Sequence, residues 1–304
     1  MASPNKIGII GGTGFSHLVE KFKEMETDYG SVNVSEMVVG GKRVFFVPRH
    51  RNLETPDRVN YRANIQALVR CGVRTVLAVT AGGRLAKEVL PGHLVFVTDV
   101  DWDDATGRHR EMSFAEPGLL LHASMEKPFS PKLNHYMAWA WADEKASIER
   151  IYEDSPDLKV DIHDNGTYFN INGPAFSTPA REARIRNTVV NPKLIGQTLV
   201  PEVHLAREMG LAYAAIGMCV DHSNFPDAKP VTHADGVMHA AQKTSQAALE
   251  FLNHTIKRIP DDFHDETAHD SLKHSLHPDQ VDFQRLIDAG RPRLAQILRE
   301  KLGI

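Results

Sequence analysis

The chain has 304 residues with a formal net charge of −4, and 42% of its residues are hydrophobic, which is typical of a globular protein with one large or two modest domains. The charge predicts neither a nucleic acid nor a membrane surface as a partner, so any anion must be held by a local site. The only cysteines, Cys71 and Cys219, lie in apolar segments and predict buried thiols. With no secretory signal and no membrane-length apolar run, we expect a cytoplasmic protein.

The first third of the chain predicts strands joined by turns, with one helix. The run "IGIIGGTGF" (7–15) is a β-branched strand that opens into glycines, and residues 32–50 form a hairpin that turns at Gly40 and Gly41. Residues 58–72 have apolar side chains at helical spacing, and "VRTVLAVTAGG" (73–83) follows as a buried strand. This alternation predicts an α/β domain.

The remaining elements continue the α/β pattern. "HLVFVTDV", "GTYFNINGPAFST" and "LAYAAIGMCVDHSN" read as strands, the latter two with polar loops, and "VPEVHLAREMG" reads as an amphipathic helix. Helices are also predicted from Pro128–Lys132 to residue 152 and over 236–259. Beyond Pro260 the chain turns polar and histidine-rich and then helical again, which predicts a tail packed on the outside of the domain.

Several familiar site patterns fail on spacing. In a dinucleotide-binding G-x-G-x-x-G that begins at Gly12, His17 would occupy the last glycine position. The aspartates at 99, 101 and 103 lack the turn glycine and closing glutamate of a calcium loop. The tail histidines match no zinc spacing and are expected to be solvated. We predict no metal.

Four separate segments end a strand or begin a loop with groups suited to phosphate. A tetrahedral dianion needs short donors from several directions and a guanidinium to balance its charge. Each segment alone has an ordinary structural explanation, but together they predict a phosphate site. The donors are Thr13, Arg49, His50, Thr80, the Ala81 amide and Thr198.

In this order, the segments resemble the trimeric purine nucleoside phosphorylases and, more closely, the methylthioadenosine phosphorylases. The resemblance covers roughly residues 6–258, and "GPAFST" with "TLVPEVHLAREMG" carries it most specifically. The other matching stretches are "IGIIGGTGF", "PRH", "VNYRAN", "VTAGGRL", "HASMEKPFSP" and "VDHSN".

The resemblance implies phosphorolysis of a purine nucleoside at C1′, which releases the base and a pentose 1-phosphate. It implies inorganic phosphate as co-substrate with no other cofactor. The implied fold is α/β, with a mixed central sheet partly closed into a barrel and flanked by helices. We therefore expect a nucleoside phosphorylase domain over 1–259, a helical extension over 260–304, and a homotrimer or a hexamer made of two trimers.

The resemblance also implies roles for single residues. Phe176 and Ser177 would meet the base, and Asp221 would face purine N7 and donate a proton as charge builds on the ring. Asp221 forms the expected catalytic set with His50 and Thr198. Sugar contacts are implied for Gln197, for His233, and for His122 reaching from an adjacent subunit; a plain surface histidine is the alternative at His122.

Departures from the family pattern leave the substrate partly open. Gln197 stands where the family has Met, Ser223 replaces a second Asp near the 6-amino group, and a second histidine expected after His50 is missing. Ser177 and Asp221 still favour a 6-aminopurine over a 6-oxopurine, with the 5′ substituent unresolved between methylthio and hydroxyl. A 6-oxopurine phosphorylase, a nucleoside hydrolase and a non-catalytic nucleoside binder are the alternatives.

Overall fold

A mixed sheet of nine strands runs through the part of the chain that the structure, a computed structural model, describes: residues 5–12, 15, 21–50, 54–103, 111–225 and 234–304. The strands are β1 (Lys6–Gly11), β2 (Lys23–Thr27), β3 (Gly30–Val39), β4 (Lys42–Pro48), β5 (Val73–Arg84), β6 (Leu94–Trp102), β7 (Ile162–Asn170), β8 (Pro192–Gly196) and β9 (Ala212–Asp221). The helices are α1 (Tyr61–Arg70), α2 (Pro131–Glu149), α3 (Pro179–Thr188), α4 (Glu202–Glu208), α5 (Ala234–Arg258), α6 (Glu266–His269), α7 (Ser271–Ser275), α8 (Phe283–Asp288) and α9 (Pro292–Leu302).

The strand order is β2-β3-β4-β1-β5-β8-β7-β6-β9, and β9 also pairs with β5. The last five strands therefore close into a barrel, while β2, β3, β4 and β1 extend from it. This confirms the predicted fold, a mixed α/β sheet partly closed into a barrel and flanked by helices. The hairpin between β3 and β4 turns as predicted at Gly40 and Gly41, whose φ angles of 57° and 81° favour glycine.

Apolar clusters cover both faces of the sheet. One cluster packs beneath α1 and α4, and the other lies under α2 and α5. All seven residues of α4 are buried, so the helix predicted to be amphipathic carries its charged side chains inside the protein. Cys71 and Cys219 are free and buried, as predicted.

The tail belongs in part to the core. Leu286, Leu294 and Leu298 of α8 and α9 are fully buried in the same cluster as α1, so the tail packs closely against the rest of the protein. His269 is also half-buried rather than solvated, and it approaches the Arg74 carbonyl at 3.0 Å. Where the phosphorylase domain ends stays a prediction.

The parallel strands β4, β1 and β5 are in register near the centre of the sheet. Their register brings one residue of each strand to the same level, and this position is termed the strand edge. Gly11 at the end of β1 lies opposite Pro48 of β4 on one side and Val79 of β5 on the other. The next residues, Gly12, Arg49 and Thr80, therefore emerge side by side, where ligands of α/β proteins commonly bind. β5 continues beyond this edge to Arg84, so Thr80 and Ala81 lie within a strand and not at its end.

Candidate active site

Arg49 is the charged centre of the edge formed by β1, β4 and β5. Its side chain is 1% exposed, its Nε and Nη2 donate to the Glu202 carboxylate at 2.8 Å each, and its Nη1 donates to the Val79 carbonyl at 2.7 Å. The Tyr213 hydroxyl donates to the same carboxylate at 2.6 Å. A two-point Arg–carboxylate pair fixes the plane of the guanidinium.

The electrostatics of this pair keep Arg49 charged. Burial opposes the charge, but the adjacent Glu202 carboxylate outweighs it and raises the pKa of Arg49 above its usual value. The remaining N–H groups face Gly12, because a methyl group in place of the Gly12 hydrogen would lie 3.2 Å from Nη1. A compact anion beside Gly12 would therefore meet a fixed donor.

His50 follows Arg49 in the chain, and its hydrogen-bond partner determines which ring nitrogen carries the proton. Its Nδ1 lies 2.9 Å from the Glu54 carbonyl, which can only accept, so Nδ1 carries the proton. Burial and the neighbouring Arg49 lower the pKa of His50, which favours the neutral ring. Its Nε2 is then an acceptor, 3.4 Å from the position that a Gly12 methyl group would take.

Two threonine hydroxyls meet on the other side of the edge. Thr80 Oγ1 and Thr198 Oγ1 are 2.6 Å apart, and the Tyr168 hydroxyl lies 3.2 Å from Thr80 Oγ1. Tyr168 reaches them by crossing Gly196, where a methyl group would overlap its hydroxyl oxygen. All three hydroxyls belong to buried residues and can rotate to donate to a common acceptor.

Asp221 is the last residue of β9, which pairs with β5, and it lies beyond Thr80 in the direction of β5. It lies opposite Gly83, and its Oδ1 accepts the Ser223 backbone N–H at 2.6 Å. A methyl group at Gly83 would overlap both Ser223 Oγ and Asp221 Oδ1, so both side chains lie against β5. Gly83 is the third residue after Thr80 in the strand, a rise of roughly 10 Å. That span matches a ligand with an anion at one end and a ring at the other.

A second loop is held next to this carboxylate. The Asn224 side chain donates to the Ser177 carbonyl at 3.0 Å and to Glu182 Oε1 at 2.8 Å, and its backbone N–H donates to Glu182 Oε2 at 2.9 Å. The Ser177 hydroxyl oxygen is buried and has no partner among the described residues. The neighbouring Phe176 is 87% exposed.

Gln197 joins this loop to the end of β8. Its Nε2 donates to the Ala175 carbonyl at 3.4 Å, and a methyl group at Gly173 would overlap its side-chain oxygen. Gly173 also has a φ of 66°, which favours glycine. The amide group is therefore placed between the loop of Phe176 and the Thr198 hydroxyl.

The structure brings together most of the residues predicted for the site. One group surrounds the strand edge, and the other lies at the end of β9 and in the loops that follow β7, β8 and β9. Thr13 and His233 lie outside the described residues. The first group is Arg49, His50, Thr80 and Thr198, and the second is Ser177, Gln197, Asp221 and Ser223.

His122 lies apart from both groups. It is exposed in the segment between β6 and α2, where its backbone N–H donates to the Ser275 carbonyl at 3.3 Å. This contact ties the segment to the end of α7. Within the described part of the chain, no hydrogen bond links His122 to the other candidate residues.

A metal centre finds no support in this arrangement. Among the described residues, no three side chains of metal-ligating type cluster in a way that could hold an ion. The groups at the strand edge are instead hydroxyls and a guanidinium, which suit an anion.

Sequence reasoning missed the residues that hold the site in shape. Glu202, Tyr168 and Tyr213 fix Arg49 and the threonines, and Glu182 with Asn224 fixes the loop of Ser177. Glu202 had one visible signal, since it lies in the otherwise apolar run "TLVPEVHLA". A lone carboxylate in such a run suggests a buried partner of opposite charge.

Comparisons with known proteins identify the family of the chain. The profile of the phosphorylase superfamily matches residues 6–257, and the chain belongs to that superfamily. Relatives include the S-methyl-5'-thioadenosine phosphorylase of Nitrosopumilus maritimus, 36% identical over 84% of this chain and 93% of the relative. The enzyme of the same name from Pyrococcus furiosus is also 36% identical, over 84% of this chain and 94% of its own length.

Solved structures give the same result. A methylthioadenosine phosphorylase from an antarctic soil metagenomic library superposes with a TM-score of 0.78 at 26% identity, and the match covers 97% of this chain and 99% of that one. The methylthioadenosine phosphorylase of Schistosoma mansoni in complex with adenine gives 0.74 at 27% identity, over 95% and 97% of the two chains. The first match extends into the tail. Together these similarities confirm the predicted family and enzyme class.

Proposed function

We propose that the protein catalyses the phosphorolysis of a 6-aminopurine nucleoside, with methylthioadenosine or adenosine as the substrate. The products are the free purine and a pentose 1-phosphate. The observation that carries the proposal is the meeting of Arg49, Thr80 and Thr198 at one strand edge, with Asp221 of the paired strand β9 opposite Gly83 farther along β5. The names of the relatives at 36% identity support the same reaction.

The phosphate is proposed to lie between Gly12, Arg49 and the two threonines. Arg49 would donate its free N–H groups, and Thr80 and Thr198 would turn their hydroxyls towards the phosphate. Neutral His50 would accept a hydrogen bond at Nε2 from a protonated phosphate oxygen. We also assign to this group Thr13 and the Ala81 amide, as the sequence predicts. Donors held in place before the reaction stabilise the developing charges without reorganisation.

In the proposed reaction a phosphate oxygen forms a bond to C1′ while the bond from C1′ to N9 breaks. The electron pair of that bond leaves with the purine, and a protonated Asp221 carboxyl donates its proton or a hydrogen bond at N7. The sugar is then an oxocarbenium-like cation between two anions. Asp221 is therefore the proposed acid, acting with His50 and Thr198 on the phosphate side.

The base and the sugar are assigned to the loops beyond Thr80. Phe176 would lie against the purine, and Ser177, Asp221 and Ser223 would face its polar edge. Gln197 would lie beneath the ribose with an amide that can reach a sugar hydroxyl. The adenine complex of the Schistosoma mansoni relative supports a 6-aminopurine rather than a 6-oxopurine.

The 5′ side of the nucleoside has no partner among the residues assigned so far. We assign it to His233 and to His122 of an adjacent subunit, in a homotrimer or a dimer of trimers. The exposure of His122 fits such a role. Inorganic phosphate is the proposed co-substrate, with no further cofactor or metal.

The location of the protein in the cell is a separate question. No described helix has the length and apolar character of a membrane span. The cytoplasmic location stays a prediction from sequence.

Purine release from methylthioadenosine, adenosine and inosine, measured with and without phosphate, tests the reaction. We expect release only with phosphate and faster with the two 6-aminopurine nucleosides. Turnover without phosphate would identify a hydrolase, binding without release a non-catalytic binder, and a preference for inosine a 6-oxopurine enzyme. Asp221→Ala should lower kcat far more than it raises KM, while Asp279→Ala on the tail surface should change neither.

A further inference from the structure

A cleft of about 380 Å³ opens where the tail meets the rest of the protein, outside the candidate active site. Its walls come from the turn between β2 and β3, from the start of α1 with the residues before it, and from the residue before α9. The lining residues that matter are Tyr29, Arg58, Asn60, Arg62, Glu111 and Arg291. None of the residues assigned to the phosphate, base or sugar lines it.

The charge in the cleft is predominantly positive. Arg58 and Arg62 have no carboxylate within ion-pair distance among the described residues. The Asp28 carboxylate, which also borders the cleft, is fully buried and accepts the backbone N–H groups of Leu294 at 2.6 Å and Arg293 at 3.2 Å. Glu111 is thus the one exposed acid that opposes the arginines in the described lining.

Two of the arginines are held in place by Tyr29. The guanidinium carbons of Arg62 and Arg291 lie 4.5 and 4.7 Å from the centre of its ring. The Tyr29 hydroxyl donates to Glu116 Oε1 at 3.1 Å, and Arg291 Nε donates to the same oxygen at 2.9 Å. Guanidinium groups fixed in advance lose less conformational entropy when they bind an anion.

We propose that this cleft binds a phosphorylated small molecule of the size of a sugar phosphate or a mononucleotide. Arg58 and Arg62 would hold the phosphate group, since guanidinium forks match phosphate oxygens in pairs. The rest of the ligand would lie along Asn60 and Tyr29. The volume is in the range of small-molecule sites, roughly 300–1,000 Å³, and exceeds what a free phosphate ion fills. The proposal does not depend on the proposed function.

Isothermal titration of the full chain with ribose 5-phosphate, AMP, inorganic phosphate and adenosine tests the cleft. In the variant R49M/E202L, which lacks the charges of the proposed phosphate site, ribose 5-phosphate or AMP should bind more tightly than inorganic phosphate, and the stronger of the two identifies the ligand class. The double variant R58Q/R62Q should weaken this binding roughly tenfold or more, yet keep the phosphorolysis rate. R49M/E202L, which removes both charges of the buried pair in the candidate active site, should leave it unchanged.

Arg299→Gln is the matched control, because Arg299 lies 4.5 Å from the ring of Phe283 on the tail but does not line the cleft. If R58Q/R62Q lowers the melting temperature, R58Q alone, at an exposed position, carries the test. The proposal is overturned if no organic phosphate binds up to about 10 mM. It is also overturned if inorganic phosphate binds R49M/E202L equally well, or if R49M/E202L abolishes the binding while R58Q/R62Q does not.

Discussion

The hydroxyl oxygens of Thr80 and Thr198 lie 2.6 Å apart, although 118 residues separate them in the chain. One belongs to β5 and the other to the loop between β8 and α4, and Tyr168 lies 3.2 Å from Thr80 Oγ1. The cluster contains three hydroxyls and no charged group. Its hydroxyls can therefore donate further hydrogen bonds to an added anion. The role of each hydroxyl can thus be tested by removing it and measuring how the rate depends on phosphate concentration.

Thr198→Val removes one hydroxyl with little change in shape. We expect kcat/KM for phosphate to fall roughly tenfold to a hundredfold, because a hydrogen bond to a charged group contributes about 1.5–3 kcal/mol. Initial rates against phosphate concentration at saturating nucleoside measure this. Thr188→Val, at an exposed position of α3, is the control and should leave the rates unchanged. Equal rates for the two variants would remove Thr198 from the phosphate site.

The residues proposed to bind phosphate could be selected from the sequence, whereas the residues that hold them in place could not. Thr80, Arg49 and Thr198 follow apolar runs in the sequence, and a polar residue at such a position is visible without a structure. Glu202 was missed because helical spacing in its segment suggested an amphipathic helix, while all of α4 is buried. Burial of that helix depends on its contacts with α1 and with α7 of the tail, which local sequence does not encode. The burial of α4 is thus set by tertiary contacts and could not be predicted from local helix propensity.

Glu202→Ala should destabilise the fold by about 3–5 kcal/mol, since it leaves the buried Arg49 charge without its partner. Urea unfolding measures the loss. The double variant R49M/E202L should recover a large part of the stability and remain inactive, because no charge is then left uncompensated. Glu266→Ala is the comparison: its pair with Lys132 is exposed and should contribute little to the stability. A similar cost for both single variants would contradict the role of Glu202.

Glu182 is expected to act as a positioning residue for the base. It accepts two hydrogen bonds from Asn224, which in turn holds the Ser177 carbonyl. Glu182→Ala should therefore raise KM for the nucleoside, about tenfold, with a small effect on KM for phosphate. Steady-state kinetics with each substrate varied in turn measure the two values. Asn187→Ala, on the exposed side of the same helix, is the control. Equal increases in both KM values would indicate a general structural loss instead.

The buried ring of His204 makes the stability of the protein depend on pH. Its ring is 9% exposed and meets Trp102 edge-on at 4.7 Å, and its Nε2 has no hydrogen-bond partner among the described residues. Burial lowers the pKa of His204 to about 4. Because an unfolded histidine titrates near about 6.5, the unfolded state binds the proton first as pH falls. Stability should therefore decrease from about pH 6.5 down to about pH 4, by up to roughly 3 kcal/mol.

His204→Phe keeps a ring against Trp102 and removes the titration. Urea unfolding at about pH 7 and about pH 5 should show a smaller acid-side loss for this variant than for the wild type. Glu208 on the same helix acts in the opposite direction, since burial raises its pKa to about 7 and stability falls as pH rises towards that value. Its effect is common to both proteins and cancels in the comparison. His274→Ala, exposed on the tail, should behave as the wild type, and an equal pH dependence in His204→Phe would refute the assignment.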